Sequence, residues 1–182
     1  MGNPSFAIPT LEILLQSNHE IVAVVSNPIK KIGRNNKKSL TPIGNFAIKN
    51  NLNNINPKSL KSHKFKEKLI SLKPDIFVVV AFRILPASLI NLPKYGSVNL
   101  HASLLPKYRG AGPIQWALMK GDKNTGVTIF QIQSKVDTGD ILCQKSIKIH
   151  EDDNMYTLGM RLCTIGAELM LIALNNFEIG KI

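Results

Sequence analysis

The stretch "VNLHASLLPKYRG", residues 98 to 110, sets Asn99 and His101 two positions apart. Side chains of an extended strand alternate faces, so these two polar groups share one face while Val98 and Leu100 take the other. Further along, "VDTGD" (136 to 140) presents Asp137 shortly before Gly139, a glycine free to adopt positive φ, and 137 − 101 = 36 residues separate carboxylate from imidazole. A carboxylate beside a histidine favours its charged form and fixes the ring. Amide, imidazolium and carboxylate together resemble an acyl-transfer centre. Asn99 and a protonated His101 would donate to the oxyanion of a tetrahedral intermediate, and Asp137 would hold His101 charged and help remove a proton. One such oxyanion donor is worth about 2.7 to 4 kcal/mol, and a positioned proton acceptor about 10² to 10⁴ in rate. No Ser or Cys stands in an elbow motif, so the attacking group would be an amine of the substrate. Taken alone, either Asn99 or His101 reads more readily as a capped or hydrogen-bonded turn residue at a strand end than as a catalyst.

These groups need a scaffold. "EIVAVVS" (20 to 26) and "DIFVVVAF" (75 to 82) are continuous β-branched runs of the kind found in parallel strands covered on both faces. "YGSVNLHAS" and "TGVTIFQI" read as further strands. Helices are expected in "IPTLEILLQS", after Thr41 as cap with Pro42 in first position, in "KFKEKLISLK", and from Pro113 in "GPIQWALMKGD". Met155, Leu158, Leu162, Ile165, Leu169 and Ile172 recur at steps of three and four, one apolar helical stripe that should pack on the sheet. The alternation predicts an α/β, Rossmann-like three-layer fold with a mostly parallel central sheet, in which Asn99 and His101 lie at the carboxyl end of a strand, where open sheets place their ligands. The start is unusual: "MGNPSF" leads straight into a helix with no strand ahead of it, although a βαβ unit needs one. Either the first strand lies upstream or the sheet lacks a central member.

The 182 residues, 44% hydrophobic, suit one domain spanning 1–182. No run reaches about 18 apolar residues and the beginning lacks a secretory pattern, so the expectation is a cytoplasmic protein without a membrane segment. Cys143 and Cys163 have no metal-ligand spacing and read as buried thiols, with no metal expected. The net charge of +11 is local: residues 27 to 73 hold 12 basic side chains against Glu67, and the remainder balances at 11 and 11. Such a concentration suits either a polyanion-binding face or an ordinary solvated surface. Trp116 and Met119 read as core. His19, His63 and His150, with Lys107 and Arg109, read as surface.

"NLHASLLPKYRGAGPIQWAL", "GDKNTGVTIFQI" and "VDTGDIL" resemble the folate-dependent formyltransferases, and "PIQW" with the opening "MGNPSFAIPTLEILL" is similar to the branch that acts on initiator methionyl-tRNA. The resemblance runs along essentially the whole chain. It implies formyl transfer from 10-formyltetrahydrofolate to the α-amine of methionyl-tRNA by a monomer, with Asn99, His101 and Asp137 in the family's catalytic positions. Folate is implied against Ala81, Phe82, Arg83, Ile84 and Leu85, against Ser103, Leu104, Leu105 and Pro106, and against Val136, Thr138, Gly139 and Asp140. The segment "PIKKIGRNNKKSLTP" is similar to the family's mobile basic loop, which assigns Arg34, Lys37 and Lys38 to tRNA.

Three departures stand out. The family begins with a strand ahead of Met-Gly; its full-length members carry a C-terminal tRNA-binding β-barrel, which is absent from these 182 residues; and "AFRILP" is one residue short, with Arg83 where glycine is usual, so a long side chain could intrude on the folate pocket. Two alternatives stay open: a sugar-nucleotide N-formyltransferase, and an inactive remnant with weak RNA binding.

Overall fold

A computed structural model describes residues 1–32 and 37–180. Met1 and Gly2 are extended, a 3-10 turn covers Ser5–Ala7, and the chain continues through α1 (Ile8–Leu15), β1 (Val24–Val25), β2 (Lys30–Ile32), β3 (Lys37–Ser39), α2 (Pro42–Lys49) and β4 (Asn54–Ile55). Then follow α3 (His63–Ser71), β5 (Phe77–Val80), α4 (Ala87–Ile90), β6 (Ser97–His101), α5 (Pro113–Met119), β7 (Asn124–Gln131), β8 (Ile141–Lys148) and α6 (Met155–Glu178). The expected start signals operate. Thr41 Oγ1 accepts from the Gly44 N–H at 3.1 Å with Pro42 opening α2, and Pro113 opens α5 behind Gly112 at φ 71°. Asn154 caps α6, accepting from the N–H groups of Tyr156 and Thr157.

β5 and β6 pair in parallel with Val79 opposite Asn99, while β7 runs antiparallel to both β6 and β8, with His101 opposite Thr128. β1 and β4 form a separate parallel pair, and β2 and β3 an antiparallel one. A stub joins the first pair to the main sheet: Met1 and Gly2 lie between β1 and β5, with an isolated parallel bridge from Gly2 to Val80.

Strand alternation sorts the apolar side chains into two layers. Val24, Val80, Val98, Leu100, Val127 and Ile129 pack with α1, α2, α5 and α6 on one face; Val25, Ile55, Phe77 and Val79 pack with α3 and α4 on the other. This is the three-layer arrangement the alternation of elements implied. A Cβ on Gly166 of α6 would come within 2.5 Å of Leu100 Cδ1, so the glycine sets how closely the helix approaches β6. Leu100 is thereby held toward α6, and Asn99 and His101 are turned to the opposite face.

Several details differ from expectation. The run at 20 to 26 forms strand only at Val24–Val25, where its partner β4 is itself two residues long. β8 carries little apolar signal because it is an edge strand bonded on one side only, with mostly exposed side chains. The stripe on α6 drifts in phase: Met155 and Ile172 are exposed, and Gly166, Met170, Ala173 and Phe177 carry the buried face instead. Trp116 and Met119 are 46% and 74% exposed, because Ile114 and Ala117 supply the inward side of α5. α6 is long and apolar enough to cross a membrane by length and composition, but 56% of its apolar window is buried against the sheet and α1.

Candidate active site

His101 ends β6 and is 7% exposed. Its Nε2 stands 2.8 Å from the carbonyl of Tyr108. A carbonyl can only accept, so the proton is assigned to Nε2 and Nδ1 is the nitrogen left for exchange. Nδ1 faces Asp137 Oδ2 at 3.6 Å, longer than a direct hydrogen bond. The same Oδ2 accepts from the Gly110 N–H at 2.8 Å, which fixes the carboxylate and leaves Oδ1 without a hydrogen-bond partner among the described residues. Asn99 lies one pleat back on the same face, half-buried and also without a side-chain hydrogen bond among the described residues. An amide donor, an exchangeable imidazole nitrogen and a free carboxylate oxygen thus converge at the end of one strand.

Each is held by elements the sequence builds locally. The segment after His101 turns through Ser103, Leu104 and a cis Leu105–Pro106 bond. Thr128, fully buried on β7, pins it: its hydroxyl donates to Ser103 O at 2.6 Å and accepts from the Leu105 N–H at 3.1 Å and Gln144 Nε2 at 2.8 Å. Gln144 Nε2 also donates to Leu105 O at 2.9 Å. Tyr108, at φ 55°, aims its carbonyl at His101, and its hydroxyl donates to Asp122 at 2.9 Å, a bond that raises the phenol pKa. Thr128, Gln144, Tyr108 and Gly110 were not singled out by sequence reasoning. Two of them act through backbone groups, which residue type does not reveal.

The loop from 132 to 140 folds back over the Asn99 and His101 face. Gly139 is required there for closeness and not for positive φ: a Cβ would lie 1.5 Å from Gln131 O. The left-handed residue is Asp137 itself, at φ 51°. Phe82, Leu85 and Ile132 pack on one apolar cluster, so the segments 81–86 and 132–140 share a support. Ala81 is left-handed at φ 48°, Ile84 is 76% exposed and Val136 49% exposed. Ser103 and Leu105 are buried beside the turn, Leu104 is half-buried and Pro106 exposed; Thr138 is half-buried and Asp140 exposed.

Arg83 does not project freely. Its guanidinium donates to Pro57 O at 3.0 Å and Lys58 O at 3.4 Å and lies 5.2 Å over the Phe82 ring, tying the 81–86 segment to the loop after β4, and burial lowers its pKa. Of the basic residues assigned to nucleic acid, Lys38 is exposed on β3, Lys37 belongs to the same strand, and Arg34 lies outside the described residues. Both cysteines are free. Burial raises both thiols, Cys143 to about 11, which leaves neither a thiolate at neutral pH.

A family model described as formyl transferase matches residues 1–174. The chain belongs to the formyl transferase family. It is 42% identical over 184 residues to a methionyl-tRNA formyltransferase of Caldanaerobacter subterraneus subsp. tengcongensis, covering all of this chain and 60% of that protein. With one of Ehrlichia chaffeensis it shares 44% identity over 181 residues, again covering 60% of the relative. The chain thus spans about three fifths of the length of the curated relatives it matches. In fold it is similar to a phosphoribosylglycinamide formyltransferase of Bacillus halodurans, at TM-score 0.79 and 21% identity, covering 97% of this chain and 92% of that one. A glycinamide ribonucleotide transformylase of Symbiobacterium toebii gives TM-score 0.80 at 18% identity, covering 99% and 85%. The Rossmann-like formyltransferase fold read from the sequence is therefore the fold of this family member.

Proposed function

We propose that the chain is the catalytic domain of an enzyme that moves a formyl group from 10-formyltetrahydrofolate to the α-amine of methionine on initiator tRNA. The observation that carries this reading is the pair His101 and Asp137, 3.6 Å apart and fixed by Tyr108 O and the Gly110 N–H, on the strand face that also presents Asn99. The acceptor amine attacks the formyl carbon, and the resulting oxyanion takes hydrogen bonds from the Asn99 amide and the protonated Nδ1 of His101. Asp137 Oδ1 removes the amine proton. Collapse breaks the bond from the formyl carbon to N10 of the folate, which leaves with the proton that Asp137 took from the amine.

Folate would rest against the segments around 81–85, 103–106 and 136–140, which border that face. With Arg83 drawn off to the Pro57 and Lys58 carbonyls, its length does not argue against this placement. The acceptor class is supported by relatives named methionyl-tRNA formyltransferases at 42% to 45% identity, and by the basic excess of residues 27 to 73, which holds Arg34, Lys37 and Lys38.

A competition experiment tests the acceptor. With 10-formyltetrahydrofolate as donor, charged initiator tRNA should be formylated at least 100-fold faster than an amino-sugar nucleotide at equal concentration. Preference for the sugar would transfer the chain to the other branch of the family.

A further inference from the structure

Asp122 stands outside the Asn99, His101 and Asp137 constellation, yet the turn that orients His101 and Asp137 is tied to it. It lies just past α5 and is fixed by its own backbone. Gly121, at φ 65°, donates its N–H to Leu118 O and Asp122 donates to Ala117 O, both at 3.1 Å. This pair of bonds closes the helix in a Schellman motif, rooted in α5 through Ala117, which is fully buried. A carboxylate at the C-terminal end of a helix meets the negative end of its dipole, so α5 itself gains nothing from an acid there. The Asp122 side chain serves the turn after β6 instead: Oδ2 accepts from Tyr108 Oη at 2.9 Å and faces Lys107 Nζ at 3.6 Å. Lys107 is 66% exposed, and an ion pair so open to water contributes little. The directed bond is the one to Tyr108.

Tyr108 needs such an anchor. At φ 55° it occupies the left-handed region, which a bulky residue holds only where its surroundings impose it. That conformation sends its carbonyl to His101 Nε2 at 2.8 Å, while two residues on the Gly110 N–H reaches Asp137 Oδ2 at 2.8 Å. In the neutral ring the two nitrogens of His101 compete for one proton. Nε2 faces the Tyr108 carbonyl, and Nδ1 faces the Asp137 carboxylate at 3.6 Å. A carboxylate is the stronger acceptor, so the proton stays on Nε2 only while the carbonyl is held close and the carboxylate is held beyond hydrogen-bond distance. Both conditions depend on the same turn.

We infer that Asp122 is a positioning residue for formyl transfer. Through the Tyr108 hydroxyl it holds the 107–110 turn in the conformation that keeps the resting proton on His101 Nε2 and leaves Nδ1 as the nitrogen that exchanges a proton. The inference rests on the reading of His101 and Asp137 as the transfer pair, but its spectroscopic test does not need that reading.

Tyr108→Phe, Asp122→Leu and Asp122→Asn are compared with the wild-type chain. Phenylalanine removes only the donor, leucine removes the acceptor and keeps the volume, and asparagine keeps an acceptor oxygen. The measurements are the ring-nitrogen NMR spectrum of His101 at a pH where the imidazole is neutral, single-turnover transfer from 10-formyltetrahydrofolate to charged initiator tRNA, and the melting shift given by a folate analogue. Wild type should carry the proton on Nε2. In Tyr108→Phe and Asp122→Leu a substantial share of the proton should pass to Nδ1, and transfer should fall about tenfold or more while the folate shift is kept. Asp122→Asn should restore the Nε2 proton and most of the rate. The double variant of Tyr108→Phe and Asp122→Leu should be no slower than the slower single one, since both remove the same bond. A wild-type ring spectrum in Tyr108→Phe and Asp122→Leu would overturn the inference. So would an asparagine variant as slow as the leucine one, or a loss of transfer matched by an equal loss of the folate shift, which would mark general loosening of the fold. A wild type that transfers nothing would refute the formyl-transfer reading instead, and the ring spectra would still decide whether Asp122 sets the proton on His101.

Discussion

Thr128→Val keeps the shape of a fully buried side chain and removes one hydroxyl. That hydroxyl holds the turn after His101 through Ser103 O, the Leu105 N–H and Gln144 Nε2. Gln144 retains Leu105 O as an acceptor, so two backbone groups, Ser103 C=O and Leu105 N–H, lose the one hydrogen-bond partner that each has among the described residues. A buried group left unpaired costs about 1 to 3 kcal/mol, which puts the total at about 2 to 6 kcal/mol against a domain stability of about 5 to 15 kcal/mol. For a chain of this length each kcal/mol moves the melting temperature by about 2 to 4 °C, so a fall of roughly 5 to 20 °C is expected. Thermal melts of wild type, Thr128→Val and Thr128→Ser decide it. The serine variant keeps the hydroxyl and should lose about 1 kcal/mol for its methyl group. A valine variant melting within 2 °C of wild type would refute the role given to this hydroxyl.

Other expectations follow from single contacts. Gly139→Ala would set a methyl against Gln131 O, so the 132–140 loop must lift and carry Asp137 from His101; formyl transfer should fall about 100-fold, and an unchanged rate would show that the loop yields without moving the carboxylate. The Met1 amine has an ordinary pKa of 8.0 and is pushed down to about 5 by burial in the fold. Between those values the unfolded chain binds more protons, so stability should rise with pH from about 5 to 8, by up to about 4 kcal/mol. Acetylating Met1 should abolish that part of the slope. Superimposable urea-unfolding curves of the free and acetylated chains across this range would mean that water solvates the amine in the folded chain.

Much of the scaffold was legible because local chemistry and tertiary demand agreed. Thr41-Pro42 and Pro113 start helices by mechanisms that act within one turn, and the alternation of "SVNLH" placed Asn99 and His101 on one face before any packing was known. What stayed hidden depends on partners distant in sequence. The Tyr108 carbonyl and Gly110 N–H that orient His101 and Asp137 are backbone groups of a turn, and residue type carries no signal for them. Residue type suggests positive φ at Gly139, whereas the glycine is needed to let the loop pass Gln131. The run from Ile21 to Val25 reads as a strand buried on both faces, yet its first half stays half-buried, since burial there depends on what lies beside it in the sheet. Residue type favours burial of Trp116, but the phase of α5 gives the inside to Ile114 and Ala117.

The most direct test of the central claim, that Asn99, His101 and Asp137 form a formyl-transfer centre, is single-turnover transfer from 10-formyltetrahydrofolate to charged initiator tRNA by wild type and Asp137→Asn, beside their melting shifts with a folate analogue. Asparagine keeps an oxygen to accept from the Gly110 N–H but cannot take a proton. The account predicts transfer by wild type, a loss of at least 100-fold in the variant, and folate shifts that agree within the equivalent of about tenfold in affinity. Transfer by Asp137→Asn at near wild-type rate, or a wild type that binds folate and transfers nothing, would contradict it.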